Sequence, residues 1–430
     1  MKHLVCSKMW TDVNVNVPTK ELKNCCKREP SILTPQEIRS MGHSVFVKNR
    51  ELLEDKKSFI ETNDFPNKCS HCKHSHPASI WQNWNEWKER EWSTVALNSL
   101  MDADHTRNVE IMLSTTCNQT CMYCTEQVSS EWAKVKGVIP IVDNEWKNAT
   151  LEALYEYIEC KLTFDFTPLT YNFLGGEPFL ELETFDVMER IIAIHDKTWG
   201  AHSTRHVAFK FTSNLNVKKR TIEKFLEYVK SYPRYKFTVT SSLDALGTIG
   251  EEIRDGLDFA RFEENMRLLL SEPSMYRIDL LPTLSCLNVQ HYHEVLQWFI
   301  NLASQYKTTA SYGNKWQIGA NLVTWPFELM PALLPMHYAV YLDKAADVMR
   351  QLPDSSYREQ QINYLNRIKL HVLGKQRNKH KIDDAIRWFE EQGRLKNKNY
   401  WEIFPDLKNI LNYENLNDWE PSDGTSQGSI

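Results

Sequence analysis

Between residues 108 and 324 the chain switches six times between a short apolar-rich stretch and a longer stretch with an apolar repeat of three to four residues. The short stretches fall at 108–113, 169–174, 206–212, 235–241, 277–284 and 316–324. The intervening helices are marked by Leu151, Leu154, Ile158 and Leu162; by Phe185, Met188, Ile191 and Ile192; by Ile222, Phe225, Leu226 and Val229; by Phe262, Met266, Leu269 and Leu270; and by Val295, Leu296, Phe299 and Ile300. Strands separated by crossover helices pair in parallel, because each helix returns the chain to the same end of the sheet. Six such units in series predict an α/β fold with a partial barrel. In such a barrel the chemistry sits at the C-terminal ends of the strands.

The cysteines fall into groups. Five lie in the first 72 residues (Cys6, Cys25, Cys26, Cys69 and Cys72), three lie within eight residues (Cys117, Cys121 and Cys124), and Cys160 and Cys286 stand alone. No apolar run approaches the length of a membrane span, and the first residues lack the apolar core of a signal peptide. A cytoplasmic, reducing location is therefore expected, with cysteines serving as metal or redox ligands rather than in disulfides. The net charge of −5 gives no general pull toward nucleic acid or anionic membrane.

Cys117-x3-Cys121-x2-Cys124 follows directly on the first strand of the series. Three thiolates leave one iron of a four-iron cube without a protein ligand, and that iron can chelate amine and carboxylate groups. Structural zinc is the rival, but it takes four closed ligands, and no histidine lies near this loop. Three unrelated buried cysteines are the bland alternative.

This spacing after the first barrel strand resembles the radical S-adenosylmethionine superfamily. Tyr123, just before the last cysteine, matches the aromatic that this family sets against adenine. Gly175-Gly176-Glu177-Pro178, ending the second strand, resembles the family's "GGE" segment, whose backbone meets the amino end of the methionine. Glycine suits a backbone that must approach a ligand closely. Ser213 and Asn214 after strand three, and Ser242 and Asp244 after strand four, match positions that contact methionine and ribose. Arg254 matches a residue that pairs with the methionine carboxylate, a task suited to a guanidinium fork. Turn chemistry and helix capping are the plain readings of these polar residues. The resemblance covers about residues 105–325 and implies a [4Fe–4S] cluster, bound S-adenosyl-L-methionine and a partial (β/α)6 TIM-like barrel at 106–330. It also implies an electron donor such as flavodoxin or ferredoxin.

Residues 1–105 read as a Cys-rich unit. Cys69-x2-Cys72 is a tight metal knuckle, and Cys6, Cys25 or Cys26, Cys69 and Cys72 make four ligands. The stretch resembles a twitch domain, the short relative of the SPASM domain, here placed before the barrel. It implies an auxiliary [4Fe–4S] cluster; a four-cysteine zinc site fits the same spacing. Position within the motif favours Cys25, with Cys26 as its alternative. His71, His74 and His76 beside the knuckle read first as solvated turn residues.

Residues 331–413 read as a helical C-terminal extension and 414–430 as a disordered tail. Cys286, just past strand five, is a weak catalytic candidate set against a packing role; Cys160 reads as helix packing. Trp81, Trp84 and Trp92 read as packing residues. The basic run at Lys375, Arg377, Lys379 and Lys381 lacks interleaved aromatics, so it reads as a solvated surface rather than a nucleic-acid contact. The resemblance implies hydrogen abstraction from a peptide or protein side chain, as in SPASM and twitch maturases. The alternatives are dehydrogenation or rearrangement of a small molecule, and a non-catalytic metal-binding module.

Overall fold

The structure is a computed structural model, and it describes residues 8–25, 28–62, 66–69, 104–140, 142–164, 167–200, 207–306, 315–373 and 378–411, with the short stretches 2–3 and 90–91. Cys6, Cys26, Cys72, the three histidines of the knuckle, Trp81, Trp84, Trp92, Lys375, Arg377 and the segment 414–430 lie outside the described residues.

A mixed α/β architecture surrounds one eight-stranded sheet. Its strands are β1 (Asp12–Asn16), β2 (Glu21–Lys23), β3 (Asn108–Met112), β4 (Thr170–Leu174), β5 (Ala208–Ser213), β6 (Lys236–Ser241), β7 (Arg277–Leu280) and β8 (Trp316–Ile318). The order across the sheet is β8-β7-β6-β5-β4-β3-β1-β2. All neighbours are parallel except the β1–β2 hairpin pair. The two edge strands do not pair with each other, which leaves a partial barrel. The helices α1 (Asn144–Phe164), α2 (Glu183–Trp199), α3 (Lys219–Ser231), α4 (Phe259–Ser271) and α5 (Tyr292–Ala303) fill the crossovers. Beyond β8 follow α6 (Ala339–Met349), α7 (Ser356–His371) and α8 (Lys379–Lys396).

The six expected strands are all present, with two differences in extent. The segment 277–284 stops at Leu280 and resumes as Thr283–Leu284. The segment 316–324 stops at Ile318 and resumes as Asn321–Leu322; the two outer pieces form a separate parallel ladder. Pro282 interrupts the first of these, since it has no N–H to give to the ladder. The sheet also reaches two strands further toward the N-terminus than the six-unit series. Val13, Val15 and Val17 alternate with Asp12, Asn14 and Asn16, and β1 pairs residue for residue with β3.

Strand alternation separates two faces. Val109, Ile111, Tyr171, Phe173, Phe209, Phe211, Phe237 and Val239 are fully buried beneath the helices. Phe211, for example, lies edge-on to Phe225 of α3 at 5.2 Å and stacks on Phe179 at 5.5 Å. Burying each such ring is worth about 1.5–3 kcal/mol, which makes this face the main source of stability. The opposite, inner face is polar. Register places Asn14, Glu110, Asn172 and Lys210 in one row across four strands. All four remain partly accessible.

Candidate functional site

The strand ends bring the chemistry-bearing residues to one rim. β3 runs into the cysteine loop, β4 into Gly175-Gly176-Glu177, β5 into Ser213-Asn214 and β6 into Ser242 and Asp244.

The loop is anchored by Met122 in the core and shaped by a series of backbone and serine hydrogen bonds. Thr120–Cys121 forms a two-residue antiparallel ladder with Arg254–Asp255. Met122 N–H donates to the Ile253 carbonyl at 2.9 Å, and Cys124 N–H to the Cys121 carbonyl at 3.0 Å. Ser129 hydroxyl closes on the Gln119 carbonyl at 2.7 Å, and Ser130 hydroxyl accepts from Cys117 N–H at 3.1 Å. The loop rests on the glycine pair. Gly176 N–H donates to the Ser114 carbonyl at 3.3 Å and Glu177 N–H to the Thr116 carbonyl at 2.6 Å. A Cβ on Gly176 would stand 2.2 Å from the Thr116 carbonyl oxygen, and Gly175 adopts φ +129°. These glycines are thus required for one backbone to lie against another. The close approach expected of them toward a ligand is made here toward the chain's own backbone.

Glu177 is buried and accepts three bonds: Ser213 hydroxyl at 2.8 Å, Asn214 N–H at 2.6 Å and Phe179 N–H at 3.1 Å. Burial pushes its carboxyl up to about 7 against these donors. It braces the ends of β4 and β5. Asn214 reaches across to the cysteine loop, its amide donating to Asn118 Oδ1 at 2.9 Å and lying 3.9 Å from Cys117 Sγ. Asn118 continues to the Asn216 carbonyl at 2.6 Å, and Asn216 to the Gly256 carbonyl at 2.5 Å. Asn118 and Asn216 are not singled out by the sequence; their signals are only a place inside the cysteine loop for Asn118 and the short polar run at 212–216 for Asn216.

Arg254 and Asp244 are buried and form one group with the half-buried Tyr123. Arg254 Nε stands 2.9 Å from Asp244 Oδ2, an ion pair off hydrogen-bond geometry, while Nη2 donates to Oδ1 at 3.3 Å. Tyr123 hydroxyl donates to Asp244 Oδ2 at 2.5 Å, and the guanidinium lies 5.4 Å from the Tyr123 ring centre. Thr283 N–H adds a 2.7 Å bond to Asp244 Oδ1. Burial works against the charge on Arg254, but Asp244, Tyr123 and Cys121 together outweigh it and raise the guanidinium's pKa. Arg254 Nη1 also sits 3.8 Å from Cys121 Sγ. Ser242 joins this rim through its N–H, which donates to the Ser213 carbonyl at 3.1 Å.

The three thiols differ. Cys121 is held toward thiolate by the Cys124 thiol, against burial, with help from Arg254 and Lys396. Cys124 is raised well above the ordinary thiol range by its bond to Cys121 and by burial. Burial and the neighbouring Cys121 push Cys117 up to about 11. Three thiols backed by an amide and a guanidinium suit an iron–sulfur group, whose sulfurs take such outer donors once the metal has displaced the thiol protons. Among the described residues no three His, Cys, Asp or Glu side chains close around one point as ligands of a single metal ion do. A cubane needs no such convergence, since each thiolate binds a different iron and one iron takes none.

Of the remaining candidates, Cys286 is buried in the core with Sγ 3.7 Å from the Glu328 carbonyl, and burial pushes its thiol up to about 12. Of the N-terminal cysteines, Cys25 and Cys69 are described; the chain after Cys25 meets the residue before Cys69, with Glu29 N–H donating to the Lys68 carbonyl at 2.9 Å and Lys68 ammonium to the Pro30 carbonyl at 3.3 Å.

No family model matches this sequence, and no curated protein matches it. Two solved structures share part of its shape. One is native anSMEcpe with bound AdoMet and Cp18Cys peptide, 18% identical with a TM-score of 0.40. The other is native anSMEcpe with bound AdoMet, 16% identical with a TM-score of 0.41. Each likeness covers 57% of this chain, and 60% and 61% of those chains, so the match spans less than two thirds of either. The assignment of the site rests on its own residues.

Proposed function

We propose that this chain is a radical S-adenosylmethionine enzyme acting on a peptide or protein side chain. The observation that carries the reading is the convergence of the cysteine loop with the ends of β4, β5 and β6 on one rim, with the Arg–Asp–Tyr group against Cys121. When bound, a [4Fe–4S] cluster supplies one-electron reductive cleavage of S-adenosylmethionine, which yields a 5′-deoxyadenosyl radical for hydrogen abstraction.

The chain's own residues then have separable tasks. Cys117, Cys121 and Cys124 supply the three thiolates. Asn214 and Arg254 give outer-sphere donors to the sulfurs. Tyr123 would offer its ring to the adenine and Ser242 its polar atoms to the ribose and the methionine, while Ser213, bonded to Glu177, and Asp244, bonded to Arg254, Tyr123 and Thr283, would act from behind that contact. Gly175, Gly176 and Pro178 shape the backbone edge for the methionine amino end, with Glu177 bracing it. Arg254, held by Asp244, would pair with the methionine carboxylate. The partly accessible inner row of Asn14, Glu110, Asn172 and Lys210 suits a polar substrate, because an ordinary barrel interior is closed by branched apolar side chains.

Within residues 1–105, Cys6, Cys25, Cys69 and Cys72 are proposed to carry a twitch-like auxiliary [4Fe–4S] cluster, while the β1–β2 pair of that stretch joins 106–330 as the catalytic barrel and 331–413 is its helical extension. No helix among the described residues is long and apolar enough to cross a membrane. Flavodoxin or ferredoxin is proposed as the electron donor. The test is anaerobic reconstitution with iron and sulfide, then incubation with S-adenosylmethionine and dithionite. Formation of 5′-deoxyadenosine by the wild type, and none by the protein with Cys117, Cys121 and Cys124 all changed to Ala, supports the reading. Equal product from both rejects it.

A further inference from the structure

The cysteine loop is held from outside the barrel by the end of α8. The chain leaves that helix through Asn397 in the left-handed region, φ +52°, and Lys398 N–H returns to the Gly393 carbonyl at 2.9 Å. A Cβ on Gly393 would stand 2.6 Å from the Lys398 carbonyl oxygen, so this reversal needs glycine. It aims two lysines at one place. Lys398 takes the acidic rim, with its ammonium 2.6 Å from Glu252 and 2.9 Å from Asp255. Lys396 goes deeper. Its side chain is 3% exposed, its ammonium lies 4.4 Å from the Trp132 ring centre and 3.5 Å from Asp255, and it donates to the Thr120 carbonyl. Trp132 in turn donates Nε1–H to the Cys121 carbonyl at 2.8 Å. One stacked lysine–tryptophan pair therefore grips two successive carbonyls of the cysteine loop.

We propose that Lys396 is a positioning residue: it pins the Thr120–Cys121 backbone and holds a desolvated positive charge against the loop's anionic ligand group, so that the group accepts an electron more readily. This rests on Cys117, Cys121 and Cys124 being cluster ligands. Reduction adds one electron, taken here from dithionite, and so adds negative charge. A cation held close in a water-poor site lowers the energy of the reduced form more than that of the oxidised form. Lys398 pairs with Glu252 and shares Asp255 with Lys396, so Asp255 is divided between two cations and Lys396 keeps part of its charge for the loop carbonyl it also holds.

The experiment compares Lys396→Met, Lys396→Arg and Lys398→Met. Hydrogen exchange is followed over residues 117–124 in the protein as purified, before any iron is added. The ratio of reduced to oxidised cluster is then read by electron paramagnetic resonance at a fixed poise after reconstitution. Lys396→Met is expected to exchange about tenfold faster over 117–124. Its reduced-to-oxidised ratio is expected to fall about tenfold, equivalent to about 59 mV for a one-electron couple. Lys396→Arg, which keeps the charge and a donor, is expected to return both readouts toward wild type, and this separates the role from a folding defect. The proposal is overturned if either readout is unchanged in Lys396→Met, if Lys396→Arg is as disturbed, or if Lys398→Met moves both equally. Should the wild type assemble no cluster, the functional reading fails, while exchange still decides whether Lys396 pins the loop.

Discussion

Asp244 receives the guanidinium of Arg254 at 2.9 Å in a setting where the aspartate side chain is wholly buried and the arginine is 7% exposed. A pair this deep contributes little net stability while intact, but breaking it strands a charge. Asp244→Asn is therefore expected to cost about 3–5 kcal/mol. Denaturant unfolding measures this. A loss within about 0.5 kcal/mol, the range of ordinary surface substitutions, would show that water reaches the guanidinium.

Gly176→Ala tests the backbone contact beneath the cysteine loop. The added Cβ meets the carbonyl oxygens of Thr116 and Thr115, which are main chain and cannot rotate away. The loop must move, so the variant is expected to keep its far-ultraviolet circular dichroism but to bind less than half the iron that wild type binds at the barrel site. Full iron loading would show that the loop relaxes freely.

Metal content separates the two proposed sites. Two cubes predict about eight irons and eight labile sulfides per chain after anaerobic reconstitution. Four irons with one zinc would reject the auxiliary cluster and leave the barrel site standing.

Changing Cys69 and Cys72 together to Ala is expected to leave about four irons and uncoupled cleavage to 5′-deoxyadenosine, with loss of the modified product. Metal-dependent units can unfold when their ligands go, so solubility and iron content come first. Equal loss of cleavage and product would make the N-terminal site scaffolding. Retained product would make it dispensable.

Glu177 gives a pH signature. Its folded pKa is raised from an ordinary 4.5 to about 7. The stability it contributes is therefore full below 4.5 and is lost as pH rises through 7. Between those limits the wild type is expected to lose about 3 kcal/mol relative to Glu177→Gln. Denaturant midpoints measured across that range check it, and parallel curves would place the carboxylate in contact with water.

The barrel strands and the cysteine loop were legible because their signals are local. Phe209 and Phe211 alternate with Lys210, and the spacing of Cys117, Cys121 and Cys124 lies within one loop, so a short window contains the whole pattern. Partnerships across long separations were not. Asp12–Asn16 has a clear period of two, yet nothing in its own residues says that it will pair with Asn108–Met112. Lys396 reaches the carbonyl of Thr120 across 276 positions. Glu177 and Gly176, read from sequence as ligand contacts, turn their polar atoms and their missing Cβ toward Ser213, Asn214 and Thr116. Periodicity reports which face of an element avoids water. Which distant backbone then occupies that face is decided by loop closure and packing of the whole chain, and only the assembled structure states it.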